Sequence, residues 1–538
     1  MVAIDWLILS LYLGAMLGVS AWLSQRQRAT SDYYLGGRQL PASAVGISTL
    51  ATQSSAISFI SIPAFVAVRE QGGLRFLQYE LALPCAMVGL AWLLLPKLHR
   101  AGVYTIYEYL EQRFDVGVRR AVSLMFLLGR GLATGVSLYA TGLVLETCLG
   151  TPLLTNLLLL GAVTVLYDLM GGMAAVVYSD VVQMIVLCAA LATCICVTTA
   201  HLGGPAVVWD SFPAERLATL DQPSGANDSL WSYVLGGLFL YASYYGCDQS
   251  QAQRLLSTPS VRAGQWAVLL NGMSRFPLIL GYCALGVVAA AACALDPEFN
   301  GELRSGADDQ LVPLIVRNYL PSGVRGLVFA GLLAAAMSSL DSALNALSAS
   351  SVRDFGAVRL AGGSTTSEAS STAAELRRAR IWTFIWGALI TAFACVVGDI
   401  SDTVIEAINK VGSAVYGPVL AVFILALARR PMPGQAVLWG LFTGVFSNIL
   451  LWQLAPQVHF MWWNVSGCLC ALLVSLLAAF GYRFEPPAAN AHPQQAPLPA
   501  DPRELPSPLP ARTILLTMGG ATAIMLTIMV GLQLLSQR

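Results

Sequence analysis

Charged side chains are scarce in this 538-residue chain. Asp, Glu, Lys and Arg together make up 11% of it, whereas they make up about a quarter of an ordinary soluble domain. Acidic and basic residues balance at 30 each, so the charge gives no reason to expect nucleic acid as a partner. Hydrophobic residues reach 56%, and a soluble protein of this composition could not cover itself with polar surface. The composition therefore predicts a protein of the lipid bilayer.

Histidine and paired cysteines, the usual ligands of zinc and iron–sulfur clusters, are also rare. The chain has 4 histidines, and its 11 cysteines form no C-x-x-C pair and fall mostly inside apolar runs. We interpret these cysteines as small buried apolar side chains. No nucleophile–base or metal constellation of an enzyme is evident. The sequence therefore predicts no catalytic activity, no organic cofactor and no obligate protein partner.

Long apolar runs recur along the whole chain. A bilayer core about 30 Å thick needs roughly 20 apolar helical residues. The first run has no basic start and no small-residue cleavage site, so we expect a retained helix rather than a signal peptide. Fourteen candidate spans follow from the runs, at about 5–24, 41–67, 73–97, 118–149, 153–170, 173–200, 229–246, 264–295, 322–352, 381–399, 402–428, 434–455, 460–482 and 512–534.

Basic residues test this division, because they concentrate on the cytoplasmic side of membrane proteins. With both termini outside, 20 of the 30 Lys and Arg fall in cytoplasmic loops or flanks, Arg254 among them, whereas the outer loop 296–310 is acidic. The sequence thus predicts a multi-pass protein of the cell membrane. Two inner segments are low in hydrophobicity: a Gly/Ser/Thr linker at 361–374 and a Pro-rich connector at 485–511.

Two spans carry unusual clusters of polar side chains. The second span holds eight Ser, Thr and Gln residues between Ser48 and Ser61, and the ninth carries Ser338, Ser339, Asp341 and Ser342. Small hydroxyl residues can simply let helices pack closely. Alternatively, the second span is a broken helix whose freed carbonyls face a cavity at mid-membrane. An aspartate inside a span costs about 2.5–3.5 kcal/mol unless it is paired, so Asp341 favours a functional interpretation.

Five segments resemble motifs of the sodium:solute symporter family, which includes carriers of sugars, monocarboxylates, vitamins, iodide, proline and sialic acid. The resemblance extends from about Asp32 to Phe480. The motifs are SDYYLGGRQLP (31–41), VYTIYEYLEQRFD (103–115), GGMAAVVYSDVVQ (171–183), CDQSQAQRLLS (247–257) and AAAMSSLDSALNALS (334–348).

This resemblance implies an all-α, leucine-transporter-like fold with a core of two inverted five-helix repeats. Residues 41–428 would form the ten-helix transport core. Residues 1–40 would hold a peripheral helix and a cytoplasmic linker, 429–484 two further peripheral helices, 485–511 the Pro-rich linker and 512–538 the last helix.

The resemblance also implies a sodium site, with sodium as the only metal. Its ligands would be the carbonyls of Ala51, Ser54 and Ala335 and the hydroxyls of Ser338 and Ser339. A second cation site would use Asp180, Asp341 and Ser342. Relatives carry Ser or Thr at position 341, so either one or two sodium ions, or a sodium and a proton, would fit. The spacing of residues alone does not decide whether Asp180 is functional or is a solvated residue near the cytoplasmic end of its span.

Substrate contacts in the family come from several core helices. Here they would include Gln53, Ser55, Ser58, Gln78, Glu80, Arg130, Tyr241 and Tyr244, with Tyr244 at an inner gating position. The tyrosines could instead be interfacial anchors. The roles of Lys410 and Arg275 stay open, although we expect Arg275 to extend toward the membrane surface.

Arg130 bears most directly on substrate class. It could reach the interface, pair with Glu80, or bind a carboxylate through two hydrogen bonds. The sialic acid branch of the family uses an arginine in this helix. The sequence therefore predicts sodium-coupled import of a small organic anion, such as a monocarboxylate or sialic acid. A sugar or other neutral polyol is the alternative, and a transporter-like sensor is the alternative of another class.

Overall fold

The computed structural model describes residues 2–24, 30–220, 229–303, 308–356, 368–397, 402–428, 431–481 and 507–537. Half of the predicted linker 361–374 and most of the predicted linker 485–511 lie outside these ranges, and residues 368–374 belong to a helix. Every regular element within them is helical. The helices are α1 (Ala3–Ser24), α2 (Thr30–Leu35), α3 (Ala42–Gln53), α4 (Ala56–Ala67), α5 (Leu83–Gly89), α6 (Leu95–Ala101), α7 (Ile106–Arg113), α8 (Val116–Leu149), α9 (Leu153–His201), α10 (Pro205–Asp210), α11 (Gly237–Cys247), α12 (Gln249–Leu256), α13 (Val261–Leu295), α14 (Pro297–Glu302), α15 (Leu311–Tyr319), α16 (Val324–Ser350), α17 (Glu368–Val397), α18 (Asp402–Leu427), α19 (Gly434–Leu454), α20 (Met461–Gly481) and α21 (Ala511–Ser536).

Among the described residues, ten helical stretches are long and apolar enough to cross a membrane, and the bent pair α3–α4 makes eleven. The predicted spans 153–170 and 173–200 are joined in α9, which has a non-helical residue at Gly172. The span 229–246 contains most of the shorter helix α11, and the span 402–428 corresponds to α18, in which Gly412–Leu427 is the apolar part. A helix therefore lies at each predicted span, while the count of fourteen crossings stays a prediction.

Gly172 interrupts α9 for a steric reason. Its φ of 52° and ψ of −160° are accessible to glycine and strained for other residues. A Cβ atom at this position would also lie 2.7 Å from the carbonyl oxygen of Tyr33 in α2. The glycine thus lets α2 pack directly against the break in α9.

The helices divide into a buried centre and an exposed periphery. In the most apolar 18-residue part of the stretch Val324–Phe355, which contains α16, 89% of the residues are buried within the protein. The corresponding fraction is 22–28% in α1, α19, α20 and α21, whose surfaces are available to lipid. The polar cluster of α16 is therefore placed at the centre of the bundle.

Besides α9, two further helical segments of the bundle are broken. The axes of α3 and α4 differ by 61°, and Ser54 between them has non-helical angles (φ −89°, ψ 71°). Asp248 separates α11 from α12, also outside the helical region. Side chains support both restarts, because the Ser55 hydroxyl accepts from Ser58 N at 3.3 Å and Asp248 Oδ1 accepts from Ser250 N at 2.8 Å. At each break, backbone groups are free of helical hydrogen bonds and are available to other partners.

Candidate cation and solute sites

The broken end of α3 lies against the centre of α16. Ser338 Oγ is 3.2 Å from the carbonyl oxygen of Ala51 and 3.1 Å from that of Ala335. Ser339 Oγ lies 2.9 Å from the carbonyl oxygen of Thr52. The structure thus brings four of the five predicted sodium ligands together. Ser54, the fifth, occupies the break itself, and its hydroxyl donates to Leu50 at 3.2 Å.

All of these groups are uncharged oxygen donors. Carbonyl and hydroxyl oxygens suit a hard cation, and the absence of a carboxylate among them suits a monovalent ion that must be released. The residues therefore fit sodium. The Thr52 carbonyl is a contact that the sequence interpretation missed, although its position directly before the break could have identified it.

Asp180 is paired with Arg254, which was predicted to lie in a cytoplasmic loop. Arg254 Nη2 lies 3.5 Å from Asp180 Oδ2, and both side chains are fully buried. Ser48 bridges them, accepting from Arg254 Nε at 2.8 Å and donating to Asp180 at 2.5 Å. The same guanidinium contacts the Ser342 hydroxyl. Arg254 thus occupies the space between two of the residues predicted for a second cation.

Asp341 accepts hydrogen bonds from other residues. Tyr167 donates a hydrogen bond to its Oδ2, and the Ser342 amide donates to Oδ1 at 2.5 Å. A third carboxylate, Asp168, follows Tyr167 in α9. It is fully buried, and neither of its oxygens has a hydrogen-bond partner among the residues that the structure describes. Asn345 is its neighbouring polar side chain.

A cavity of about 160 Å³ lies beside the proposed sodium ligands, and we call it the solute cavity. Four predicted substrate residues line it: Gln53, Ser55, Arg130 and Tyr244. Sequence reasoning missed Thr134 and Ser137, although both share a helical face with Arg130 at spacings of four and seven residues. The complete lining is Thr52, Gln53, Ser55, Arg130, Ala133, Thr134, Ser137, Tyr244, Ser339 and Leu340.

The other predicted substrate residues lie outside this lining. Gln78 donates to the carbonyl of Thr219 at 2.7 Å. Ser58 lies on α4, where its backbone amide is capped by Ser55. Glu80 and Tyr241 form a hydrogen bond of 3.3 Å with each other.

Arg275 does not extend to the membrane surface, contrary to expectation. Its Nε lies 2.8 Å from Glu80 Oε2, and its guanidinium lies over the Tyr241 ring at 5.5 Å. It also donates to Gln53 Oε1, which accepts from Tyr245 as well. The pair of buried Glu80 and partly buried Arg275 therefore adjoins the solute cavity through Gln53. Lys410 lies in α18, but its side chain is outside the described residues.

Arg130 does not pair with Glu80. Its Nη1 lies 3.8 Å from Asp248 Oδ2, at the break between α11 and α12. Asp248 lines a second, smaller cavity of about 50 Å³, and Arg130 borders both cavities.

The chain is similar to known sodium-coupled transporters. The model of the sodium:solute symporter family matches residues 33–444. The human sodium/iodide cotransporter is 28% identical over 454 residues, covering 83% of this chain and 69% of the relative. A sodium/sialic acid symporter of Aliivibrio fischeri is 26% identical over 486 residues, covering 88% and 93%. The sodium-coupled monocarboxylate transporter 2 of Danio rerio is 29% identical over 477 residues, covering 84% and 73%.

Solved structures share the fold. A Na⁺-coupled sialic acid symporter aligns with a TM-score of 0.80 at 23% identity, over 90% of this chain and 98% of the other. A nucleobase-cation-symport-1 family transporter aligns with a TM-score of 0.50 at 13% identity, over 84% and 94%. The predicted all-α, leucine-transporter-like architecture is confirmed. The chain belongs to the sodium:solute symporter family and is a multi-pass, sodium-coupled solute symporter.

Proposed function

We propose that this symporter imports a small organic anion whose carboxylate binds Arg130. The observation that carries the proposal is the position of Arg130 in the wall of the solute cavity, beside the hydroxyls of Thr134 and Ser137. A guanidinium can donate two parallel hydrogen bonds to a carboxylate. Among the side chains that the structure describes, no other Lys or Arg contributes to the lining of this cavity. Arg130 is therefore the group that would select for a negative charge.

The size of the cavity favours a small anion. Its volume of about 160 Å³ is close to that of an engineered cavity of about 150 Å³ that holds benzene. A solute with roughly six to ten non-hydrogen atoms therefore fits, as in a short monocarboxylate. Sialic acid would need a wider cavity than this conformation provides.

Sodium would bind among the carbonyls of Ala51, Ser54 and Ala335 and the hydroxyls of Ser338 and Ser339. Binding there would join the broken α3–α4 pair to α16, and the bundle would then open toward the cytoplasm. One charge moved through about 100 mV yields about 2.3 kcal/mol. A tenfold sodium gradient adds about 1.4 kcal/mol. A single ion would thus support substantial accumulation of the solute.

We place the protein in the cell membrane with both termini outside. This orientation puts most Lys and Arg residues in cytoplasmic loops, as the positive-inside rule requires. Residues 41–428 would form the transport core, and the second cavity would then face the cytoplasmic side, because Tyr107 of the loop helix α7 contributes to its lining.

A neutral polyol is the second candidate solute. The observation in its favour is the amide and hydroxyl lining supplied by Thr52, Gln53 and Ser55, together with the Glu80–Arg275 pair behind Gln53. Such groups donate to and accept from sugar hydroxyls. Charge selection by Arg130 distinguishes the two candidates.

The test is uptake into proteoliposomes of labelled monocarboxylates, sialic acid and glucose, with an inward sodium gradient or potassium in its place. We expect sodium-dependent uptake of a monocarboxylate. Arg130→Gln should raise its KM about ten- to a hundredfold, because a charged hydrogen-bonding partner is lost. Arg130→Lys should retain part of the affinity. The matched control is Arg262→Gln, which replaces an exposed arginine and should leave KM unchanged.

Two results would contradict the proposal. Uptake of glucose alone, insensitive to Arg130→Gln, would favour the polyol. Uptake of the anion with an unchanged KM in Arg130→Gln would remove Arg130 from the binding site.

A further inference from the structure

The second cavity lies directly behind the solute cavity, with Arg130 in the wall between them. Arg130 and Ala133 are the residues that both cavities share. The second cavity is lined by residues of α7, α8, α11 and α18, and by Asp248 at the α11–α12 break. A solute that leaves the first cavity in this direction must pass Arg130.

Two tyrosines complete the wall. Tyr244 lines the solute cavity and Tyr416 lines the second one, and their rings meet edge to face with centroids 6.5 Å apart. Gln251 of α12 donates to the Tyr244 hydroxyl at 3.1 Å. Tyr244 is therefore fixed from both sides of the α11–α12 break. A movement at that break would move the tyrosine.

The two carboxylate oxygens of Asp248 have different partners. Oδ1 accepts from the amide of Ser250 at 2.8 Å and from its hydroxyl at 2.5 Å, which caps α12. Oδ2 faces Arg130 at 3.8 Å, longer than a direct hydrogen bond. The Arg130 Nε has no hydrogen-bond partner within the described part of the chain. Arg130 is thus held by Asp248 through charge, with donors still available to another anion.

We propose that Asp248 and the solute carboxylate compete for Arg130, and that this competition opens the exit from the solute cavity. When the cavity is empty, the Arg130–Asp248 pair keeps the wall closed. A bound carboxylate takes the donors of Arg130 and turns the guanidinium away from Asp248. The break between α11 and α12 then loses a charge contact, and Tyr244 separates from Tyr416. The inference rests on the proposed function, because the competing group is the solute's carboxylate.

This arrangement would make Asp248 a positioning residue that links occupancy to release. A neutral solute would leave the Arg130–Asp248 pair intact and the wall closed. Asp248 would therefore add to selectivity for anions without touching the solute itself.

The test replaces the charge of Asp248 while keeping the helix cap. Asn and Ser are both effective N-caps, so Asp248→Asn and Asp248→Ser should leave α12 folded. Asp115→Asn is the matched control, because Asp115 caps α8 by accepting from Val118 N at 2.9 Å. Two properties are measured on purified protein in sodium: the equilibrium affinity for the transported monocarboxylate by calorimetry, and the rate at which an alkylating reagent modifies Cys247.

Cys247 is a natural reporter, since it lines the second cavity and is 3% exposed. Its alkylation is followed by mass spectrometry of the peptide that contains it. In the native protein, we expect the monocarboxylate to speed alkylation severalfold. Because Asp248 is a charge next to Cys247, each alkylation rate is divided by the thiolate fraction obtained from its own pH dependence. In Asp248→Asn and Asp248→Ser, the corrected alkylation should be fast without solute, and the monocarboxylate should bind at least fivefold more tightly. Asp115→Asn should behave like the native protein.

The outcomes separate this inference from the proposed function. If the Asp248 variants match the native protein in both measurements, or if Asp115→Asn shows the same changes, the competition is refuted. If the native protein binds no carboxylate, the proposed function fails. In that case, slow alkylation in both solute-free Asp248 variants would also refute the closing role of the pair.

Discussion

Arg254 and Asp180 form an ion pair in the buried centre of the bundle, with Nη2 and Oδ2 3.5 Å apart. Ser48 joins them with hydrogen bonds to both, which satisfies part of the hydrogen-bonding capacity of each group. One of the two carboxylates of the proposed second cation site is therefore already balanced by a cation of the chain itself. The remaining one, Asp341, would decide whether a second ion is carried.

Asp341→Asn tests that role. Asn can accept from the Ser342 amide through its oxygen and donate to the Tyr167 hydroxyl through its amide nitrogen, so the local packing should survive. If Asp341 carries a cation through the cycle, the variant should move one charge less per solute. The measurement is the ratio of charge to solute flux in proteoliposomes at a fixed voltage. An unchanged ratio would assign Asp341 a structural role.

Ser338→Ala and Ser339→Ala test the proposed sodium ligands. Each variant removes one oxygen donor, and a loss of about 1.4 kcal/mol corresponds to tenfold weaker binding. We expect each to raise the half-saturating sodium concentration about tenfold, with uptake recovered at high sodium. Ser350→Ala is the control, because this buried hydroxyl of α16 has no partner within the described residues. An equal effect in all three would point to packing of α16 instead.

The Glu80–Arg275 pair should matter for stability. Removing one partner leaves a buried charge uncompensated, which costs about 3–5 kcal/mol. Glu80→Gln and Arg275→Gln should each lower the thermal unfolding temperature in detergent, and the double variant should lose less than the sum of both. Additive losses would show that the two side chains do not depend on each other.

Gly172→Ala should destabilise the protein. The alanine would adopt a strained backbone conformation, at a cost of about 1–3 kcal/mol, and its Cβ would lie 2.7 Å from the Tyr33 carbonyl. Gly14→Ala is the control, since a Cβ atom there meets nothing within 4 Å. Thermal unfolding in detergent compares the two, and equal unfolding temperatures would contradict the steric role of Gly172.

Asp168→Asn should be tolerated, with unfolding at an equal or higher temperature. The carboxylate is fully buried, and its oxygens lack partners among the described residues, so an uncharged isostere removes an unfavourable group. Asp354→Asn is the contrasting variant, because Asp354 accepts from Thr105, Arg119 and Ser123 at 2.7–2.8 Å. It should lower the unfolding temperature. Loss of uptake in Asp168→Asn at full stability would instead give this carboxylate a role in transport.

The helices and the candidate sodium ligands could largely be predicted from the sequence. Apolar runs located the helices, and the polar stretch from Ser48 to Ser61 indicated a broken helix. That α16 meets this break was implied by the resemblance to the sodium:solute symporter family. These signals are local, because hydrophobic length and clustered hydroxyls are visible within one segment. The break in α9 was predicted from the glycine pair at Gly171 and Gly172, which separates the spans 153–170 and 173–200.

Long basic side chains were harder to place. Arg254 was assigned to a loop and Arg275 to the membrane surface, yet the first pairs with Asp180 and the second with Glu80. An arginine can bridge helices that are distant in sequence, and only the packing of those helices decides its partner. Asp248 was missed for the same reason, since its counterpart lies 118 residues earlier at Arg130.

The ligands proposed for sodium are carbonyl and hydroxyl oxygens, and none of them gains or loses a proton under physiological conditions. Sodium affinity should therefore be indifferent to the acidity of the medium, so that the driving ion is captured equally well in acidic and neutral surroundings. Any response of transport to acidity would have to originate elsewhere, in the solute or in the carboxylates of α9 and α16.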